Sequence, residues 1–161
     1  MQRIDLICVG KLNAAFCAEG VAEYQKRLKG LCEFRIIELP EVTVSEKNAG
    51  PAVIEKALER EGKAILASVR KGAAIAVLCV EGKLVSSEDL ADLIARQAVG
   101  GAGDMAFVIG SSHGLSPQVK QAAALRLSMS EMTFPHQLAR VMLLEQLYRA
   151  CCIHAGKRYH K

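Results

Sequence analysis

The chain has 161 residues, 51% of them apolar, with a formal net charge of +4 and six cysteines. That length supplies one sizeable core and too little chain for two comfortable domains, so a single domain over 1–161 is expected. No apolar run approaches the ~20 residues of a membrane-crossing helix, no segment reads as a signal peptide, and no Cys-x-x-Cys occurs, which predicts a cytoplasmic protein with reduced thiols, no membrane association and no metal site.

"RIDLICV" at 3–9 is a β-branched run ended by Gly10 and reads as a strand. Residues 14–28 follow, with Phe16, Val21, Tyr24 and Leu28 at helical spacing. "CEFRIIEL" at 32–39 is a second strand, closed by Pro40. Segment 40–50, "PEVTVSEKNAG", is the one polar stretch long enough to be a flexible loop, with Asn48 and Gly50 as breakers. A helix over 51–69 opens on Pro51, whose fixed φ suits a first turn. The second half continues with a strand at 74–80, a helix from serine caps and early acids over 86–97, "GGAGD", and a strand at 105–109. A short helix at 116–124, a brief strand at 125–129 and a long helix at 136–154 complete the pattern. Strict alternation of strand and helix predicts an α/β fold, a mostly parallel sheet with helices on both faces.

In such sheets ligands lie outside the carboxyl ends of the strands. Three unusual loops are expected there: "EGK" at 81–83, "GSSHG" at 110–114 and "SEMTFP" at 130–135. Glycine admits a sharp bend or a close ligand, and the amides opening the next helix favour an acceptor or negative charge. The absence of Gly-x-Gly-x-x-Gly and of a Walker lysine argues against a dinucleotide or a triphosphate and leaves a small nucleotide-like ligand. The end of the chain, "KRYHK", holds three formal positive charges and a histidine with no acid, which suits either an anionic partner or a solvated terminus.

Taken together, "FVIGSSHGLSP", "LSMSEMTFPHQLARVMLLEQLYRA" and the terminal "YHK" resemble the SPOUT-class methyltransferase family that modifies a pseudouridine of large-subunit ribosomal RNA. The resemblance covers essentially the whole chain from "LICVGKL" onward. It implies an α/β trefoil knot in the C-terminal half, a homodimer, S-adenosyl-L-methionine as methyl donor, and methylation of the imide nitrogen N3 on assembled ribosomes. Carried onto this sequence, the donor pocket falls at Leu78, Gly110 and the run Met129, Ser130, Glu131, Met132, Thr133 and Phe134. Those residue types suit it, because an adenine ring and a methionine chain need apolar walls edged by backbone donors and acceptors. One departure is Gly110-Ser111-Ser112-His113-Gly114, where the family pattern has two adjacent glycines; Ser111 is small enough for a close approach but disfavours positive φ, and His113 reads as a solvent-facing substitution.

Methyl transfer to an imide nitrogen requires its proton to leave, so a positioned base or a nearby positive charge is needed. The candidates are His160 and Tyr159 of the tail together with Arg149, while His136, Arg140, Arg158 and Lys161 are candidate RNA contacts. Glu145 and Arg149, one helical turn apart, are placed to pair. Leu138, Val141, Met142, Leu144, Leu147, Tyr148 and Cys151 make a broad apolar surface on the last helix, the expected dimer face. The tail, short, polar and following Gly156, is expected to add little to any core. Two alternatives remain at this point: an assembly factor with the same fold but no catalysis, and a methyltransferase of the same class acting on transfer RNA.

Overall fold

Six of the seven residues of β1 (Arg3–Val9) are buried, as a strand with helices on both faces demands. The computed structural model of the chain describes residues 1–101 and 103–160. After β1 come α1 (Ala15–Leu28), β2 (Glu33–Leu39), α2 (Pro51–Ser68), β3 (Ala74–Leu84), α3 (Ser87–Val99), β4 (Met105–Ile109), α4 (Pro117–Ala122), β5 (Leu125–Ser128) and α5 (His136–His154). Within segment 40–50 a single 3-10 turn covers Glu46–Asn48. The strands pair in parallel in the order β2-β1-β4-β3-β5.

Side chains alternate across the sheet, and each face has its own core. Ile4, Leu6 and Cys8 pack with Val21 and Leu28 of α1, Leu90 and Ile94 of α3, and Leu144 and Leu147 of α5. Ile7 and Val9 pack on the other side with Ile65 of α2 and with Leu115 and Val119 at α4. The expected α/β sheet covered on both faces is therefore present. Asp5, on the α2 side of β1, is 1% exposed and is held by Arg35 (Nε to Oδ1, 2.7 Å) and Arg70 (Nε to Oδ2, 2.9 Å).

Helix ends follow their capping chemistry. Ser86 and Asp89 form a reciprocal capping box at α3, and Ser116 Oγ accepts from the amide of Val119 at 3.3 Å. Ala14, before α1, has no capping side chain, and the acceptor comes from α5: Gln137 Oε1 takes the amides of Asn13 at 2.8 Å and Ala14 at 3.1 Å.

One expectation is corrected. "EGK" is not a loop after β3 but part of it, because β3 runs to Leu84 and pairs again with β5 after a register shift between Leu78 and Lys83. Gly82 lies against the backbone there; a Cβ would sit 2.7 Å from the Leu127 carbonyl oxygen. The apolar surface of α5 is divided: Leu138, Val141, Met142, Tyr148 and Cys151 are half-buried. The helix packs between α1 and α3, no residue from 136 to 153 is exposed, and Leu144 and Leu147 belong to the core of the single chain.

Candidate functional site

The middle of β3, at residues 78–81, and the carboxyl ends of β4 and β5 open into a cavity of about 390 Å³. Leu78, Gly110, Met129, Ser130, Met132, Thr133 and Phe134 line it, and His136, expected as an RNA contact, lines it too. Glu131 is exposed and is not among the lining residues. The walls are apolar where Leu78, Ile109, Leu127 and Phe134 face inward, and at the rim Glu81 and Lys120 pair at 2.5 Å. Ser130 ties its own turn, its Oγ accepting from the Met132 amide at 3.0 Å and its carbonyl from Ser128 Oγ at 2.9 Å.

The 110–114 loop is compact. Gly114 adopts φ +93°, a region natural to glycine. A Cβ at Gly110 would fall on the carbonyl of Gly114, 2.7 Å from its carbon, and 2.9 Å from Leu115 Cδ2. Position 110 must therefore be glycine because the loop folds back on itself, with the Gly114 amide donating to the Ser111 carbonyl at 2.9 Å. Ser111 has no positive φ, so serine at this place brings no backbone strain. Its hydroxyl donates to Glu61 Oε1 at 2.8 Å, Ser112 donates to Glu41 Oε1 at 2.9 Å, and His113 is exposed at the cavity mouth.

A second cavity of about 420 Å³ shares Leu78, Leu127 and Met129 with the first and extends to Leu90, Met142 and Leu143, with Ser86, Ser87, Glu145 and Gln146 at its polar side. Around Glu145 the structure gathers the three candidate catalytic residues. Arg149 donates to Glu145 Oε1 through Nε at 3.0 Å and Nη2 at 2.5 Å, and Tyr159 donates to the same oxygen at 3.2 Å. Gln146 Nε2 donates to Oε2 at 2.6 Å. The Arg149 guanidinium also lies 4.8 Å from the Tyr159 ring centroid, and Tyr148 meets that ring edge-on at 4.8 Å. The tail is thus docked rather than frayed, a correction to its expected independence of the core.

His160 bridges Arg149 Nη1 at 3.2 Å and Glu88 Oε1 at 2.6 Å. A guanidinium only donates, so Nδ1 accepts and Nε2–H donates to Glu88, which fixes the neutral Nε2–H tautomer in this arrangement. Burial, helped by bonds to Tyr24 and Glu145 and by the Glu145 charge, pushes the Tyr159 phenol up to about 12, so it keeps its proton and serves as a hydrogen-bond donor at neutral pH. Sequence reasoning saw Glu145 merely as the i, i+4 partner of Arg149; it missed Glu88 and Gln146, which become neighbours only through the packing of α3 on α5.

The remaining candidates lie apart. Arg140 is 1% exposed, with Nη1 on Glu38 Oε2 at 2.7 Å and Nη2 on the Gly10 carbonyl at 3.1 Å, so it braces β1 and β2 and is withdrawn from an RNA phosphate. Arg158 is exposed, and Lys161 lies outside the described residues.

A family model described as a predicted SPOUT methyltransferase matches residues 2–160. The chain is 43% identical over 160 residues to the ribosomal RNA large subunit methyltransferase H of Lactococcus lactis subsp. lactis (strain IL1403), covering 99% of this chain and 100% of that protein. It is 45% identical over 161 residues to the protein of the same name from Clostridium novyi (strain NT), again covering 99% and 100%. In fold it is similar to a probable methyltransferase from Bordetella pertussis Tohama I, with a TM-score of 0.55 at 16% identity over 93% of this chain and 96% of that one. A probable methylase family protein from Haemophilus influenzae Rd KW20 gives 0.52 at 15% identity over 99% and 70%.

Proposed function

The chain belongs to the SPOUT methyltransferase family, and from that premise we propose that it methylates N3, the imide nitrogen, of a pseudouridine in large-subunit ribosomal RNA on assembled ribosomes, using S-adenosyl-L-methionine. The observation that supports this reading most is the cavity between the middle of β3 and the carboxyl ends of β4 and β5, where apolar walls from Leu78 and Phe134 meet the backbone of the 110–114 and 129–134 loops. Such a lining fits a purine ring and a thioether chain, and a cavity of about 390 Å³ lies within the range of small-molecule sites. When bound, S-adenosyl-L-methionine supplies an electrophilic methyl group on a sulfonium. Leu78, Met129 and Phe134 enclose the donor, and Gly110 keeps side-chain bulk out of the loop that borders it.

The imide proton needs an acceptor, and the imide anion needs a positive neighbour. Arg149 carries that charge, held in place by Glu145, and Tyr159 acts as a donor that orients the base rather than as the proton acceptor. His160 takes the imide proton at Nδ1, which requires its bond to Arg149 to open. The tail performs this role in the site of a second copy of the chain, in a homodimer, and exposed Arg158 contacts phosphate. Tritiated methyl transfer to ribosomes that lack the modification, followed by nucleoside analysis, tests the reading. Label in N3-methylpseudouridine of the large-subunit RNA is expected; no label, or label in transfer RNA alone, overturns it.

A further inference from the structure

Glu61 is a carboxylate in the middle of α2, 5% exposed, and outside both the donor cavity and the tail cluster. A buried carboxylate is costly unless its oxygens are satisfied, so what it is bonded to reveals what it does. Its two oxygens go to two different loops. Oε1 accepts from Ser111 Oγ at 2.8 Å, beside Gly110 in the cavity loop, and Oε2 accepts from the backbone amide of Val42 at 2.9 Å, in segment 40–50. The helix carrying it is seated tightly: a Cβ at the neighbouring Gly62 would meet Ser116 Oγ and stand 3.2 Å from Val119 Cγ2. A second, exposed tie runs in parallel, from Ser112 to Glu41 at 2.9 Å.

We infer that Glu61 is a positioning residue of the donor site, whose buried carboxylate presets the 110–114 loop and couples it to segment 40–50, so that filling the cavity steadies that segment. The inference rests on the donor reading of the cavity, which Ser111 lines, while Glu61 and Val42 lie outside it. A rigid helix that holds the loop before binding removes part of the ordering cost of binding. Coupling is reciprocal: if the Ser111–Glu61–Val42 bridge favours the bound form of the loop, the bound ligand favours the bridge.

The test uses the full chain and S-adenosylhomocysteine as probe, with two readouts: affinity by calorimetry, and trypsin cleavage after Lys47, which is exposed in the coupled segment. In the wild type the probe is expected to slow that cleavage. Ser111→Ala removes the donor to a buried charge, so affinity should fall about tenfold and the probe should no longer protect Lys47. Glu61→Leu removes both acceptors at similar volume, and it too should lose the protection. If Glu61→Leu does not fold, Ser111→Ala decides alone. Wild-type affinity and wild-type protection in Ser111→Ala overturn the inference. A wild type that binds no probe overturns the donor reading instead, and the cleavage rates without probe then judge the bridge: faster cleavage in Ser111→Ala supports it, and equal rates refute it.

Discussion

At Gly110 the demand for glycine comes from inside the loop, since a Cβ would collide with the Gly114 carbonyl. Gly110→Ala must therefore reshape the loop that borders the cavity, at a cost of about 1–3 kcal/mol. Calorimetry should show at least a tenfold loss of S-adenosylhomocysteine affinity, while far-UV circular dichroism stays that of the folded sheet; unchanged affinity would place the ligand elsewhere. Asp5 poses an electrostatic question at the far end of the strands. Burial raises its pKa, but hydrogen bonds and charge from Arg35 and Arg70 outweigh this and hold it below the ordinary carboxylate value. A depressed folded-state pKa adds stability that is present above the unfolded value of ~3.9 and is lost as pH falls through the folded one. Asp5→Asn should thus lower urea stability at neutral pH by about 2–4 kcal/mol, and the gap to wild type should close on acidification below that range. A gap independent of pH would mean that packing, not charge, sets the role of Asp5.

The elements themselves were readable: the β-branched runs at 3–9 and 105–109 recur as β1 and β4 with those bounds, and the polar break at 40–50 is the segment between β2 and α2. Strand order was not, because nothing local states that β5 lies beside β3 at the sheet edge; for that reason 81–83 looked like a loop although pairing with Leu127 and Ser128 draws β3 onward to Leu84. The same blindness hid the partners of chemistry-bearing residues. Arg140 looked available until Glu38 and Gly10 enclosed it, and the cap of α1 comes from a residue 124 positions away in sequence. Gln137→Ala tests that long-range cap. Two amides just ahead of α1, those of Asn13 and Ala14, lose their acceptor, a loss of ~1 kcal/mol that lowers the melting temperature by about 2–4 °C in a chain of this size. An unaltered melting curve in scanning calorimetry would show that water replaces the glutamine at no cost.

At the scale of the whole molecule the issue is which copy of the site the tail serves. Within one chain Tyr159 and His160 are bound to Glu145 and Glu88, and both ring nitrogens of His160 are engaged. A histidine so committed has no free lone pair, so the proposed role of His160 as base needs the tail to be repositioned, and the proposed second copy would supply the place. Removing residues 158–161 should abolish methyl transfer to ribosomes and spare donor affinity, whereas Arg158→Ala should chiefly weaken ribosome binding and flatten its salt dependence by roughly one phosphate contact. The decisive measurement, made at a donor concentration too low to fill the weakened cavity of Gly110→Ala, mixes two proteins: the tail truncation, which keeps its donor cavity, and Gly110→Ala, which keeps its tail. If the tail acts across a dimer, random exchange makes half the dimers mixed and gives each of these one complete site, so activity should return to about a quarter of wild type. If the tail acts on its own chain, no mixed dimer contains a complete site and the mixture stays inactive. Sedimentation of the same mixture at micromolar concentration checks that subunits have paired and exchanged, and a purely monomeric wild type would remove the dimer, leaving His160 to leave Glu88 and reach the cavity of its own chain.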